Sequence, residues 1–312
     1  NNNGQGIKLD NSKIDAGSCI LNGIGSDGID CNQSVINADA SIHAIGTAKA
    51  NNKPGINLVN SRFFSTRAGD ISLNGQAVDS SGLGISLSSF NPPSIDDRTF
   101  IDTENGSITL NSFIGSIKLD DATVFCGGSG VVTVNSQQDF SLLVSQDGRA
   151  SSVAIDSGIA DFTIGRDLTI TSTAADSVAA IEARASNVTG GSLKFTVGRN
   201  VSLLTDNSSS FCLIGWLDAD RSTPANITGD ILFNHIGGDL TLQGANNIGP
   251  FANGFAQIGH FVSSSSTEPS IVNGNIFLLV DGSISLVGGS ASEASYAQIG
   301  HGGFGPFTTT GQ

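Results

Sequence analysis

Cleaving a glycosidic bond takes two carboxyl groups facing one cleft, one to protonate the leaving oxygen and one to attack or to activate water. Two adjacent acidic pairs are candidates here, Asp96-Asp97 and Asp120-Asp121. Imidazoles could add acid–base or metal chemistry. His260 and His301 fall at matching places in two related segments, whereas His43 and His235 have no partner motif. Sister segments carry Trp216 and Ala183 at that place. The position therefore does not require imidazole, and we read it as a turn or surface position rather than a metal ladder. Gly23-Ile24-Gly25-Ser26-Asp27-Gly28-Ile29-Asp30 has the glycine and aspartate spacing of one calcium-binding nonapeptide. Such sites share each ion between consecutive copies, and a single copy reads as a glycine-rich corner. Cys19, Cys31, Cys126 and Cys212 form no CxxC pair, which argues against zinc. We read them as buried thiols, with a Cys19–Cys31 disulfide permitted but not demanded.

Gly300-His301-Gly302 resembles the Gly-His-Gly motif of polygalacturonases, and Asp120-Asp121 resembles their Asp pair. In that family the two motifs lie about a coil apart. Here about 180 residues separate them, and no Asn-Thr-Asp or Arg-Ile-Lys accompanies them. Trp216-Leu217-Asp218 is faintly similar to a pectate-lyase motif but lacks its following His. Asn187-Val188-Thr189 and Asn226-Ile227-Thr228 fit the glycosylation sequon. We therefore assign no catalytic, cofactor-binding or metal-binding residue and expect a non-enzymatic protein. A carbohydrate-active β-helix enzyme, with Asp120 and Asp121 as its carboxylates, is the alternative.

Composition narrows the class of partner and of fold. Net charge is −14, with no cluster of Lys or Arg, so nucleic acid, heparin and anionic membranes are poor partners. No apolar run is long enough to span a bilayer. Charged residues make up 13% of the chain, about half the usual ~25%. With 40 glycines and abundant Asn and Ser, such a chain folds only if its polar residues sit in turns and ladders. Recurring alternation, as in Val131-Val132-Thr133-Val134 and Leu168-Thr169-Ile170, separates it from disordered Gly/Ser tracts. Met is absent even at position 1, and the last repeat stops after Pro306, so the chain reads as an excised segment.

Repeats organise the whole length. Gly6-Ile7-Lys8-Leu9-Asp10-Asn11-Ser12 recurs at Gly28–Ser34, Gly55–Ser61 and Gly84–Phe90. A strand alternates faces, so stacking these segments about 4.8 Å apart places Leu9, Cys31, Leu58 and Leu87 in one inward column. Asn57 then faces out and should tolerate Asp. Asn11, Gln33 and Asn60 form a second column at the turn, where stacked amides can bond along a ladder. Gly supplies a positive-φ corner before each strand. A longer unit, Phe162–Ile170, matches Phe195–Leu203, Asn234–Leu242 and Leu278–Leu286. Each is followed by a second patch, at Ala180–Ala183, Leu213–Trp216, Gln257–His260 and Gln298–His301. Each long unit is one large coil or two small ones. The pattern predicts short-repeat coils over 1–112, junction coils over 113–150 and long-repeat coils over 151–312, with loops at Asn91–Ser94 and Ser263–Ser266.

These features make an all-β fold, a single continuous right-handed parallel β-helix (solenoid) over 1–312. About fourteen coils would give a rod of roughly 65 Å. Ala68-Gly69-Asp70-Ile71-Ser72-Leu73-Asn74-Gly75-Gln76 running into Gly82–Leu87 resembles the repeat region of filamentous-haemagglutinin-like exoproteins. These are two-partner secretion proteins and related autotransporter passengers. The resemblance implies export to the bacterial cell surface or beyond it, and a role in adhesion or surface architecture. The partner would be a host or neighbouring-cell surface, protein or glycan, or copies of the chain joined end to end into a fibre or layer. The Asn-Pro-Asn signature of that family's secretion domain is missing.

Overall fold

A computed structural model describes residues 4, 6–90, 98–183, 191–207, 209–216, 226–246, 254–263, 270–290, 295–304 and 307–310. Among the described residues there is no helix, and every strand pairing is parallel. Asp96-Asp97, the Asn91–Ser94 loop and Pro306 lie outside the described residues, as does most of the Ser263–Ser266 stretch.

The chain is a parallel β-helix. One face is a sheet of ten strands, running from Ile7–Asp10 to Ile284–Val287. The other faces lie within a 19-stranded sheet that takes two strands from most coils. A typical coil reads Leu168–Ser172, Val178–Ala183, then Gly191–Val197. In the first coils Lys13–Gly25 and Val35–Ala48 are long enough to bend round a corner and serve both of these faces, with the register slipping between Ala16 and Ser18. Among the described residues ten coils stack, not the expected fourteen, so the stack rises only about 43 Å. The overcount comes from the long units: each is one coil, and the coils range from 22 residues at the start of the chain to 44 at the end. Extra residues leave at corners without adding a layer.

The predicted inward column holds. Leu9 pairs with Cys31, Cys31 with Leu58 and Leu58 with Leu87, and the column continues through Leu119, Leu142, Ile170, Leu203, Leu242 and Leu286. From Cys31 to Leu242 its members are fully buried. Each strand contributes two such inward side chains, and burying one is worth about 1.5–3 kcal/mol. At the last described coil the columns emerge, with Ile284 52% and Leu286 47% exposed.

Three expectations need correcting. Most corners of positive φ on this face follow the strands instead of preceding them: Asn11, Gln33, Asn60 and Asp121 sit at φ 47° to 54°. The Asn11–Gln33–Asn60 column is therefore set by the left-handed backbone that amide and carboxylate side chains tolerate best. It is not an amide ladder. Among the four short repeats only Gly28 has positive φ before its strand, and Gly115 has it before Ser116–Asp120. Gly6 is needed because a Cβ there would meet the Gly28 carbonyl of the next coil at 1.9 Å. Second, Asn57 does face out, but its Nδ2 donates to Asp30 Oδ1 at 2.8 Å. Asp at 57 would set two carboxylates against each other. Third, the third long unit aligns as expected from His235 to Leu242 but not at its first residue. Phe195 pairs with Phe233 rather than Asn234, and the register slips past Asn234 before Thr196 meets His235. The aromatic core decides this: Phe162, Phe195 and Phe233 stack with centroids 4.9 and 4.4 Å apart.

Hydrogen bonds to the side chains of neighbouring coils fix the corners. Ser34 Oγ accepts Ser12 N–H at 3.2 Å, Ser61 Oγ accepts Ser34 N–H at 3.1 Å and Thr99 Oγ1 accepts Ser61 N–H at 3.2 Å. At the entry to the ten-stranded face a longer ladder runs through Ser116, Asp139, Asp167, Asn200, Asp239 and Ser283. Each side-chain oxygen accepts the backbone N–H of the next member, at 2.8–3.2 Å.

Candidate functional site

Of the two acidic pairs, Asp120 and Asp121 do structural work. Asp121 is 1% exposed at a left-handed corner. Its Oδ1 accepts Ser145 N–H at 3.2 Å, and its Oδ2 lies 3.0 Å from Ser145 Oγ. That hydroxyl is also 3.1 Å from Asp120 Oδ1, while Lys118 Nζ donates to Asp120 Oδ2 at 2.9 Å. Burial pushes the Asp121 carboxyl up, and the Ser145 bonds partly offset it. The acid is thus tied to the neighbouring coil rather than presented to a cleft. His301 stands in the tenth coil and Asp121 in the fifth, about 24 Å apart along the axis. The structure does not bring the two motifs together.

His260 and His301 are not at the surface. His260 is fully buried and His301 partly so, and their rings stack with centroids 4.3 Å apart. His260 Nδ1 accepts Trp216 N–H at 3.4 Å, and His301 Nδ1 accepts His260 N–H at 3.2 Å. Nε2 of His260 and of His301 lie 2.8 and 3.0 Å from the carbonyls of Gly229 and Gly274, so each Nε2 carries the proton and donates it. Both nitrogens of each ring are committed, which leaves no lone pair for a metal. Desolvation, then the neighbouring His301, drives the His260 pKa down to about 3. Gly215, Gly259 and Gly300, at φ 147° to 157°, turn the chain into this ladder. Trp216 meets His260 edge-on at 4.7 Å. Leu217 and Asp218 lie outside the described residues.

Asp27 of the nonapeptide-like segment pairs with Lys53 at 2.9 Å, and Gly23 is packed against the Gly28 carbonyl. Among the described residues no group of three or more His, Cys, Asp or Glu could hold a metal. His235 does have a partner: its Nε2 lies 3.0 Å from Asp281 Oδ2 on the surface. His43 lies on the outer face between Ile20 and Ser72. Asn187 lies outside the described residues. All four cysteines are free and buried. Burial lifts the thiols of Cys31, Cys126 and Cys212 to about 12.

One outer surface was not singled out in the sequence. On the face formed by Ile71–Gln76, Ile108–Ile114, Val131–Ser136 and Ile159–Ile164, four outward residues line up: Asn74, Asn111, Asn135 and Thr163. Asn111 Nδ2 donates to Asn74 Oδ1 and Asn135 Nδ2 to Asn111 Oδ1, both at 2.8 Å. Beside them the register slips between Ser112 and Ile114, and the bulge turns Phe113 outward, 61% exposed. Asn111, Ser112, Phe113, Asn135, Ser136, Gln137 and Thr163 line a shallow groove of about 360 Å³ with no charged residue in its wall. The signal in the sequence was the triplet Leu73-Asn74-Gly75, repeated as Leu110-Asn111-Ser112 and Val134-Asn135-Ser136.

No protein-family model, curated protein or solved structure matches this chain.

Proposed function

We propose that this protein is a rigid, non-enzymatic stalk of the bacterial cell surface that presents its own flank to a partner surface. The observation that carries the reading is the pair of inward side-chain columns, fully buried from Ile29 and Cys31 to Leu240 and Leu242 and stitched at the corners by side-chain-to-backbone ladders. Each coil touches only its neighbours, so such a stack transmits shape along its axis and offers long lateral faces. Asp120, Asp121, His260 and His301 are engaged in holding one coil to the next. Surface location and adhesion rest on the likeness of the repeats to filamentous-haemagglutinin-like exoproteins. Small-angle scattering tests the shape: an elongated particle is expected, and a sphere would overturn the reading. Binding of labelled protein to bacterial and host cells tests adhesion.

A further inference from the structure

We infer that the groove beside Phe113 binds a neutral, extended oligosaccharide lying along the axis of the stack. The inference rests on the adhesive-flank reading and names the partner. Its walls hold the two things a sugar ring requires. Phe113 offers an apolar face to the C–H side of a pyranose, and it is held there by a backbone bulge rather than a mobile loop. Asn111, Asn135, Gln137 and Thr163 supply amides and a hydroxyl to sugar hydroxyls. An amide has two N–H donors and two acceptor lone pairs, so each rung of the ladder keeps capacity for a ligand after bonding its neighbour. Asn135 pairs in register with Thr163, which carries no amide, so the rungs stop there and Asn135 Oδ1 faces solvent.

Geometry and charge select among sugars. Rungs recur at the coil rise of about 4.8 Å. An extended chain of β-linked pyranoses advances by nearly that distance per ring, so successive rings meet successive rungs, whereas a coiled α-linked glucan curves away. No cation lines the groove, and the whole chain carries −14, so uronates and sialylated glycans are disfavoured. The ladder also holds its amides in place before binding, which lowers the ordering cost of recognition.

Affinity electrophoresis of the intact chain tests this, using native gels containing hydroxyethylcellulose, soluble starch or polygalacturonate. Hydroxyethylcellulose should retard the protein, starch less, and polygalacturonate least. Phe113→Ala should weaken retardation at least tenfold, and Asn135→Asp, which keeps size and adds charge, should weaken it severalfold. Phe90→Ala, another exposed Phe outside the groove, should not change it. Unchanged mobility in hydroxyethylcellulose, equal loss with Phe90→Ala, or stronger retardation in polygalacturonate would overturn the assignment. Thermal unfolding of each variant confirms that it is folded. A protein that scatters as an elongated particle yet ignores every glucan refutes this groove alone and leaves the stalk standing.

Discussion

His260 lies flat on His301 and hands it the proton of its own backbone N–H, so that one imidazole reads the position of the coil before it. The arrangement works only with neutral rings, since a protonated Nδ1 can no longer accept. Desolvation opposes charge on both rings, and His301 further opposes charge on His260. Trp216 and the Gly229 carbonyl enclose His260, and Asp230 is the acidic group that offsets part of the penalty.

This makes stability depend on pH in a definite direction. The unfolded chain binds a proton near pH 6.5, whereas folded His260 does so only at about 3. Its contribution is complete above 6.5 and is lost as the pH falls toward 3, by a few kcal/mol in all. Chemical unfolding followed from pH 7 to about pH 5, where most carboxylates stay ionised, should show declining stability. His260→Gln should flatten that slope even though it lowers stability throughout. An unchanged slope would mean that the ladder does not titrate.

Asp121 supports a second prediction. Asp121→Ala removes two bonds to Ser145 and puts a β-carbon with no polar side chain at φ 54°. We expect a loss of about 1–3 kcal/mol in stability. Incubation with acidic and neutral polysaccharides, with and without calcium, should release no new reducing or unsaturated ends from either protein. Release by the parent chain that Asp121→Ala abolishes would make the protein an enzyme.

The repeats told most of the fold. Leu9, Cys31, Leu58 and Leu87 could be aligned because an inward column admits only apolar side chains, so each coil repeats the constraint in its sequence. The number of coils could not be read so directly. Insertion at a corner costs little, because a longer loop adds only slowly to the closure entropy, and so 44 residues can make one coil as well as 22. The slip at Asn234 was hidden because a bulge changes register without changing composition. The Phe113 groove was illegible for a related reason: a Leu-Asn-small triplet looks the same whether its Asn caps a turn or faces a ligand.

Asp167 is the busiest rung of the ladder at the ten-stranded face. Its carboxylate accepts Asn200 N–H at 3.0 Å, Asn200 Nδ2 at 3.1 Å and the Arg199 guanidinium. Burial is the largest single influence and raises its pKa, but the Arg199 and Asn200 N–H bonds and the charges of Arg199 and Arg166 together outweigh it, and the net shift is downward. Asp167→Ala should cost about 1–3 kcal/mol by leaving the Asn200 N–H unpartnered, while Asp167→Asn, which keeps an acceptor oxygen, should cost less. Denaturant titration of both variants distinguishes them, and equal losses would show that the charge matters rather than the rung.

The cysteines should be silent in the folded state. The nucleophile is the thiolate, and burial disfavours it at all four sites. A thiol reagent at neutral pH should label none rapidly, with Cys19, 7% exposed, the first to react. All four should react in denaturant. Fewer than four after unfolding without reductant would reveal a disulfide.

Leu58 tests the register and the locality of folding together. It sits between Cys31 and Leu87 with no solvent exposure, so Leu58→Asp buries a lone carboxylate and should cost roughly 3–5 kcal/mol. The neighbouring control must respect the Asn57–Asp30 bond. Asn57→Asp faces two carboxylates and should cost up to about 1 kcal/mol, so Asn57→Ser, matching Ser86 in the next coil, is the mild change. Because each coil leans only on its neighbours, Leu58→Asp should fray the stack locally before it unfolds as a whole. Limited proteolysis should then cut within residues 50–65 and spare the C-terminal half. Equal resistance of Leu58→Asp and Asn57→Ser would place Leu58 outside the core, and simultaneous cleavage along the whole chain would show that the ten coils fold as one cooperative unit.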